Sequence, residues 1–385
     1  MKYNLIKMED ALEALIDYRG KTPRKSDFGI ETLSAKSVKN GYIDYSQCYY
    51  ISEEEYDRFM VRGIPKKGDI LLTTEAPMGL VARLNKDDVA IAQRLLTLRG
   101  KKNVLDNDYL MYYLQSPKGQ AALKARETGT TVTGIKQSEF RKIMLELPDY
   151  DYQVKVSGII KNIDDKIELN NKINYNLEQQ AITLFRKYYN TATAVVSFTS
   201  MLQVLGGGTP KTSEPSFWNG TIPFFTPKDV GFPYAFVTEK TITPEGLNHC
   251  NSRLYPLNTV FVTARGTVGK VSLAGCPMAM NQSCYALVGK DIDQLLAYHY
   301  TLVTVDKLKH KASGAVFDAI ITKDFETESV SKISDGDADT FLAITKPLYE
   351  TILSNCLENQ RLTSMRDALL PQLMSGKIDV SEVEI

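Results

Sequence analysis

The 385-residue chain is poor in the residues that build metal sites and disulfide frameworks. Its three histidines have no metal-ligand spacing, and its five cysteines include no Cys-x-x-Cys pair. This pattern argues against structural zinc and against a disulfide-bonded secreted fold. No apolar run approaches the ~18 residues of a membrane span, and the first residues lack the apolar stretch of a secretory signal. We therefore expect a cytoplasmic protein without membrane spans.

Net charge is absent as well, since 46 basic residues balance 46 acidic ones. The balance differs along the chain. Residues 1–150 contain 24 basic and 21 acidic residues, whereas residues 336–385 contain four and eight. The acidic C-terminal segment is therefore a poor candidate for lying on phosphates.

Catalytic motifs are missing too. Residues 266–270 (Gly-Thr-Val-Gly-Lys) resemble part of a phosphate loop, but a Walker A motif would need Gly where Ala264 stands and Ser or Thr where Val271 stands. A strand–turn–strand is predicted there instead. Residues 164–166 (Asp-Asp-Lys) resemble the tail of a nuclease metal motif, but they lie on a predicted helix and are interpreted as a solvated face. We predict no catalytic centre, no metal site and no bound cofactor.

A tandem repeat dominates what the chain does contain. A shift of 185 residues places residues 129–188 on residues 314–373 without a gap, and ordinary composition would give roughly three or four matches. Upstream the shift drifts, as loop insertions would cause: residues 20–23 match 207–210, Lys36 matches Lys228, and residues 69–73 match 259–263. The identities at the constant shift are Gly129/Gly314, Ile135/Ile320, Phe140/Phe325, Lys161/Lys346, Ile167/Ile352, Asn170/Asn355, Asn174/Asn359, Leu177/Leu362 and Leu184/Leu369.

Each repeat has a globular part followed by a helical part. Short β-branched runs over residues 69–74, 89–98 and 259–263 predict strands, and residues 108–126 have helical periodicity. We expect an α+β (mixed α/β) fold with two globular domains, separated by two long helices that form an antiparallel coiled coil with a pseudo-twofold internal repeat. The predicted divisions are residues 1–150 (first globule), 151–190 (first helix), 191–335 (second globule) and 336–385 (second helix and tail).

A heptad pattern predicts the contact seam of the two helices. Each seam has two central asparagines, which are costly when buried unless they pair with one another. Two amphipathic helices that each pack only on their own globule remain an alternative. Pro347 suits an early helical turn, and Pro371 should kink or end the second helix. The predicted seam is Ile160, Ile163, Ile167, Asn170, Asn174, Leu177, Leu184, Leu348, Ile352, Asn355, Asn359, Leu362 and Leu369.

Polar residues at equivalent turns of the two globules are the candidates for DNA binding. Arg and Lys suit guanine or phosphate, while Asn and Gln suit adenine. Aromatic residues such as Tyr42, Tyr45, Phe217 and Trp218 lie among them. The candidates are Lys21, Arg24, Lys25, Lys36, Lys39, Gln93, Arg94, Lys211, Lys228, Arg265, Lys270, Asn281 and Gln282.

This layout resembles the DNA-specificity (S) subunit of type I restriction–modification systems over essentially the whole chain. The resemblance rests on the Gly-x-Thr-Pro segments at residues 20–23 and 207–210, and on the turn at residues 263–270. The C-terminal run Leu-Leu-Pro-Gln-Leu-Met-Ser-Gly-Lys-Ile at residues 369–378 is also typical of the family. Pro-Pro and Glu-Gln usually precede each long helix in this family, but Asp149 and Tyr152 replace one residue of each pair here.

The resemblance implies a non-enzymatic subunit with two target recognition domains, each reading one half of an interrupted double-stranded DNA sequence. It further implies that the helices dock methyltransferase subunits, two of them by symmetry, and that restriction subunits join the larger complex. S-adenosylmethionine and ATP would belong to those partners. Two alternatives stay open at this point: a stand-alone DNA-modifying enzyme, and a coiled-coil scaffold that binds only proteins.

Overall fold

A computed structural model describes residues 3–129, 133–311, 319–380 and 382–383. Gly314, one of the repeat identities, lies outside the described residues. The chain forms two compact units, Met1–Ile167 with Arg361–Ile385, and Glu168–Gln360. Both units combine sheets with helices, so the predicted α+β class is confirmed. In the described part of the chain, no helix is long and apolar enough to cross a membrane.

The first unit has three small sheets, and a long helix begins in it. Strands pair in the orders β2-β8-β5-β6, β4-β3-β7 and β1-β9, with β3 and β7 parallel. The strands are β1 (Asn4–Lys7), β2 (Leu12–Asp17), β3 (Ile30–Leu33), β4 (Tyr49–Ile51), β5 (Ile70–Thr73), β6 (Val81–Arg83), β7 (Ala90–Ile91), β8 (Leu95–Gly100) and β9 (Met144–Leu147). The helices are α1 (Met8–Ala11), α2 (Glu53–Phe59), α3 (Asn107–Gln115), α4 (Pro117–Lys124), α5 (Gln137–Phe140) and α6 (Tyr150–Thr191).

The second unit repeats this topology with one added strand. Its strands pair in the orders β11-β18-β15-β16-β13, β14-β12-β17 and β10-β19, and β13 is the addition. The strands are β10 (Ala194–Ser197), β11 (Leu202–Gly206), β12 (Trp218–Phe225), β13 (Tyr234–Ala235), β14 (Thr241–Ile242), β15 (Val260–Thr263), β16 (Val271–Ala274), β17 (Ala279–Met280), β18 (Cys284–Gly289) and β19 (Ser329–Lys332). The helices are α7 (Phe198–Met201), α8 (Pro244–Asn248), α9 (Gln294–Lys311), α10 (Thr322–Thr327) and α11 (Asp335–Met374).

Local sequence explains most of these elements. The runs Ile-Leu-Leu-Thr of β5 and Val-Phe-Val-Thr of β15 are fully buried central strands, which is why they lack polar alternation. The helix predicted over residues 108–126 is instead two helices. Ser116 ends α3 and caps α4 by accepting the Gly119 N–H (3.2 Å), and Pro117 takes the first helical position. The equivalent helix α9 is continuous.

The two long helices pair in antiparallel orientation. In the first unit, Arg366 of α11 donates to Asp164 of α6 (3.0 Å), and Tyr112 donates to the other oxygen of the same carboxylate (2.8 Å). The interpretation of residues 164–166 as a solvated face is therefore wrong for Asp164, which joins α6 to α11 and α3. Its partners are distant in sequence, so the local pattern could not indicate them.

In the second unit the central asparagines pair as the repeat predicts. Asn170 donates to Asn359 (2.9 Å), and Asn355 donates to Asn174 (2.8 Å). The 185-residue shift matches Asn170 with Asn355 and Asn174 with Asn359. The two hydrogen bonds are therefore equivalent, as a local twofold relation requires. The predicted antiparallel pairing is confirmed, and each buried amide has a matching partner.

Part of the predicted seam lies beside the buried face of the helices, and Ile167 and Leu362 are among its half-buried residues. Leu177, Leu184, Leu348 and Leu369 are only half-buried, while their neighbours Glu178, Phe185, Tyr349 and Leu370 are buried. A straight helix turns every 3.6 residues rather than every 3.5, so a strict heptad drifts off the contact line. These helices also pack on their own domains, which moves the buried face by one residue.

The prediction for Pro347 is wrong, whereas α11 does end close to Pro371, three residues beyond it. Pro347 lies twelve residues beyond the first residue, Asp335, and the helix continues past Pro371 to Met374. The early-turn assignment was wrong because no clear signal marks the first residue of this helix in the sequence. Pro347 and Ala343, whose carbonyl loses its helical partner, are both exposed, so water can satisfy that carbonyl.

Helix α6 is anchored in the second unit by an aromatic cluster. The Phe185 ring lies 5.2 Å from His299, 5.1 Å from Tyr300 and 5.6 Å from Phe341, measured between ring centroids. His299 is buried and contacts the Tyr349 hydroxyl through Nε2 (3.0 Å). Burial lowers the pKa of His299 to about 3, so the imidazole is neutral.

About two turns earlier, α6 carries a buried carboxyl group that has no ion pair among the described residues. Glu178 is fully buried, and its Oε1 accepts the Tyr298 hydroxyl (2.7 Å). Burial raises the pKa of Glu178 to about 7, against the weaker opposing effect of hydrogen bonds from Tyr298 and Tyr349. This group therefore changes charge near neutral pH.

Candidate nucleic-acid interface

In each unit, two loops leave adjacent parallel strands at their carboxyl ends. Strands β3 and β7 are parallel, and the Ala92 N–H donates to the Leu33 carbonyl (2.8 Å), which joins the segments that follow them. In the second unit β12 and β17 are parallel, and the Asn281 N–H donates to the Phe225 carbonyl (3.0 Å). The same hydrogen bond thus holds the same two loops together in both copies.

A third loop, after β5 or β15, is tied to these two. The Thr74 N–H donates to the Arg94 carbonyl (3.0 Å), and the Ala264 N–H donates to the Ser283 carbonyl (2.8 Å). We call each set of three loops a loop cluster. The first cluster comprises residues 34–37, 74–79 and 92–94, and the second comprises residues 226–229, 264–270 and 281–283.

The first loop of each cluster is a capped turn that presents a lysine. Ser37 Oγ accepts the Ser34 N–H (3.3 Å), and Asp229 Oδ2 accepts the Thr226 N–H (2.8 Å). Lys36 and Lys228 each precede the capping residue and are exposed. The predicted equivalence of these two lysines is confirmed. Contact with DNA stays a prediction for both.

A glutamine recurs in the loop after β7 and β17. Gln93 and Gln282 each follow the end of their strand by two residues. Asn281 therefore corresponds to Ala92, which has no polar side chain. The Asn281 Oδ1 accepts the Ser283 N–H (3.0 Å) within its own loop.

The third loop differs in charge between the two clusters. Arg265 is exposed and, among the described residues, has no ion pair. Its counterpart in the first unit is Glu75, which pairs with Arg94 at 2.8 Å between Nε and Oε1. Arg94 is therefore partly neutralised, whereas Arg265 projects an unpaired guanidinium.

The Gly-x-Thr-Pro segments take different courses. In the second unit, a Cβ at Gly207 would lie 2.1 Å from the Asn281 carbonyl oxygen, so only glycine allows this segment to pack on the second cluster. The Thr209 hydroxyl also contacts Gln282. Gly20 has open space around it, and its left-handed backbone (φ +75°) is the reason for glycine there.

Several predicted residues lie away from the clusters. The Arg24 N–H donates to Glu55 of α2 (2.9 Å), and the Lys25 ammonium lies 4.8 Å from the centre of the Tyr49 ring on β4. Lys21 follows β2, and the Lys211 carbonyl accepts the Trp218 indole N–H (3.2 Å). Among the described residues, no hydrogen bond or ion pair joins the side chains of these four residues to the loop clusters.

Two other predicted residues adjoin the clusters. Lys39 donates to the Lys36 carbonyl (2.8 Å), which places it beside the first loop. Lys270 ends the third loop of the second cluster and lies next to Lys309 of α9, whose pKa it helps to lower. Sequence reasoning missed Lys309. The 185-residue shift matches it with Lys124, just outside the window in which the repeat was recognised.

Comparison with known proteins identifies the class of these domains. Residues 19–179 and 192–331 each match the type I restriction modification DNA specificity domain. These two matches cover most of the chain. The chain therefore belongs to the family of type I restriction–modification DNA-specificity subunits, a DNA-recognition family rather than a catalytic one. The resemblance noted in the sequence is confirmed.

Curated relatives agree with this assignment. The type I restriction enzyme HindI specificity subunit of Haemophilus influenzae is 23% identical, over 81% of this chain and 87% of that protein. The type I restriction enzyme MjaIX specificity subunit of Methanocaldococcus jannaschii is 24% identical, over 86% and 82%. The crystal structure of the S subunit from M. genitalium has the same fold, with a TM-score of 0.59 and 14% identity over 97% of this chain and 96% of that one.

Proposed function

We propose that each loop cluster reads one half of an interrupted double-stranded DNA sequence. The observation that carries this proposal is the recurrence of one arrangement, a capped lysine turn beside a glutamine loop, in two otherwise diverged domains. Lys36 and Lys228 have the chemistry to donate to guanine O6 and N7 or to phosphate. Gln93 and Gln282 have the chemistry to pair with adenine N6 and N7.

The two long helices then serve as the frame for partner subunits. We expect two methyltransferase subunits to dock on the helix pair, because a pseudo-twofold frame offers the same surface twice. Restriction subunits would join this complex in the cytoplasm. The chain would bind no cofactor itself, so S-adenosylmethionine and ATP would be used by the partners. In the described part of the chain, no group of three His, Cys, Asp or Glu residues could hold a metal ion.

The direct test is modified-base sequencing of host DNA with and without this gene. Loss of base methylation at one interrupted, two-part motif is the expected result. Complementation with Gln93→Ala or Gln282→Ala should then relax one base position in one half of the motif, and a different half for each variant.

The outcomes separate this proposal from its rivals. An unchanged methylome in cells that express the methyltransferase would contradict a specificity role and favour a scaffold. DNA modification by the purified chain alone would instead support a stand-alone enzyme. If both glutamine variants altered the same half of the motif, the assignment of one half to each domain would be wrong.

A further inference from the structure

A cationic cleft lies beside the second loop cluster. It has a volume of about 300 Å³ and is formed by α6, α9 and the loop between β15 and β16. Arg186, Lys270 and Lys309 project from these three elements, one from each. Phe185, Leu302 and Val305 contribute apolar surface to the lining.

The charges of this cleft are poorly compensated. Asp306 is the single carboxylate among the lining residues. Across the described ranges, none of the three cations has a salt-bridge partner within 4 Å. Partial burial and the nearby charge of Lys270 lower the pKa of Lys309, with Asp306 opposing them. A bound anion would therefore relieve the repulsion between the two ammonium groups.

The cleft is continuous with the candidate interface. Gly269 belongs to the same loop as Arg265 and has a left-handed backbone (φ +74°). A Cβ at this glycine would lie 2.5 Å from Lys309 Cε, so the loop touches the lysine stem directly. If this loop reads the bases of a duplex, the sugar–phosphate backbone of that duplex would lie beside the cleft.

The corresponding place in the first unit is nearly neutral. Gly79 corresponds to Gly269, and a Cβ there would meet Gln120, which corresponds to Val305. Lys124 matches Lys309, but Leu80 matches Lys270. Lys124 lines a cleft of the first unit together with Glu127, whose charge opposes its own. Pro371 of α11 takes the place of Arg186 in the repeat. The concentration of positive charge is therefore particular to the second domain.

We propose that the cleft formed by Arg186, Lys270 and Lys309 binds a sugar–phosphate group of the DNA backbone next to the half-site read by the second domain. This proposal rests on the proposed function. The mixed lining suits that ligand, because a deoxyribose ring can cover the apolar surface while the phosphate meets the cations. Such a contact adds affinity that does not depend on base sequence.

The first experiment measures the salt dependence of DNA binding by the assembled specificity–methyltransferase complex. The probe is a duplex that contains the motif found by modified-base sequencing. Lys309→Gln and Arg186→Gln should each weaken binding about three- to tenfold and reduce the slope of log K against log salt by roughly 0.9. The methylated motif should stay the same for both variants. Lys124→Gln is the matched control in the first domain, and it should change the slope less.

A second experiment locates the phosphate. Single phosphates flanking each half-site are replaced by uncharged methylphosphonates. One position should weaken binding by the wild-type complex but have no further effect on Lys309→Gln, and that position should flank only one half-site. The side chains of Arg186 and Lys309 are exposed, so neither substitution is expected to disturb folding.

Three results would overturn or redirect the inference. Unchanged slopes with a fully folded complex would show that the cleft does not bind phosphate. Loss of methyltransferase co-purification in Arg186→Gln or Lys309→Gln, with DNA affinity of the remaining complex intact, would assign the cleft to an acidic protein surface instead. A wild-type complex that prefers no duplex would contradict the proposed function itself, which is a separate failure.

Discussion

The two domains share one strand order, to which the second adds β13, but the carboxyl groups that their long helices carry have different partners. In the first unit, Asp164 of the long helix pairs with Arg366 and also accepts a tyrosine hydroxyl. In the second unit, Glu178 accepts a tyrosine hydroxyl but has no cation beside it among the described residues. A duplicated fold thus preserves topology more strictly than it preserves the polar contacts of its long helices. The sheet order depends on apolar runs, whereas each polar contact depends on one or two residues.

The largest expected difference concerns the helix anchors. Phe185→Ala should destabilise the protein by about 3–5 kcal/mol, because it removes the centre of an aromatic cluster. The equivalent Leu370→Ala should cost about 2–3 kcal/mol, since Leu370 lies at the edge of its core. Denaturant unfolding followed by circular dichroism measures both. Equal losses in the free energy of unfolding would indicate that the two anchors stabilise the protein to the same extent.

The buried carboxyl group of Glu178 should make the stability of the protein depend on pH. The pKa of Glu178 is raised to about 7 in the folded protein, so its contribution to stability is present below the unfolded pKa near 4.5 and is lost as pH rises through 7. The loss amounts to roughly 3 kcal/mol at high pH. Glu178→Gln should therefore gain stability relative to wild type between pH 6 and pH 8.5.

Asp164→Asn is the comparison for that variant. It should lose about 1–2 kcal/mol at both pH values, because Arg366 then keeps only its ion pair with the neighbouring Asp367 and no longer joins α11 to α6. Thermal unfolding at the two pH values gives the measurement, and the titration of His299 cancels because both variants and wild type contain it. A pH-independent effect of Glu178→Gln would contradict the assigned pKa.

The local twofold of the helix pair predicts equal costs at equivalent positions. Asn174→Leu and Asn359→Leu should each destabilise the protein by about 1–2 kcal/mol, because each removes an amide–amide hydrogen bond between the two helices. Asn174→Leu combined with Asn355→Leu should recover most of the loss, since both members of the pair become apolar. Additive losses in the double variant would show that these amides do not act as a pair.

The smallest expected effects are in the third loops. Glu75→Gln releases Arg94 and should strengthen DNA binding by the complex about two- to fivefold, with a steeper salt slope. Arg265→Gln should weaken binding about three- to tenfold. Fluorescence anisotropy at two salt concentrations measures both. Identical changes in affinity for the two substitutions would contradict the expected effect of the charge difference between the loop clusters.

Much of the fold could be predicted because its signals are local. The buried strands β5 and β15 are continuous apolar runs, and the helices α6 and α11 have long apolar periodicity with paired asparagines. The lysine of each loop cluster was also recognisable, since Lys36 and Lys228 recur at matched positions.

The remainder depends on partners that are distant in sequence. Nothing near Asp164 in the sequence indicates Arg366, and nothing near Arg94 indicates that Glu75 neutralises it. The heptad model placed Leu177 and Leu184 on the seam, because it takes no account of a helix that must also pack on a domain. Lys309 was missed because its role depends on a cleft rather than on a motif.

Each domain begins and ends in one antiparallel strand pair. Asn4 faces Leu147 across β1 and β9, and Ala194 faces Lys332 across β10 and β19. In the second domain, the chain therefore leaves α6 and enters α11 at the same strand pair, and the first domain enters α6 from the corresponding pair. Insertions, deletions or recombination between these strands can alter a whole domain without changing the frame. Such modularity makes each half of the specificity an exchangeable cassette.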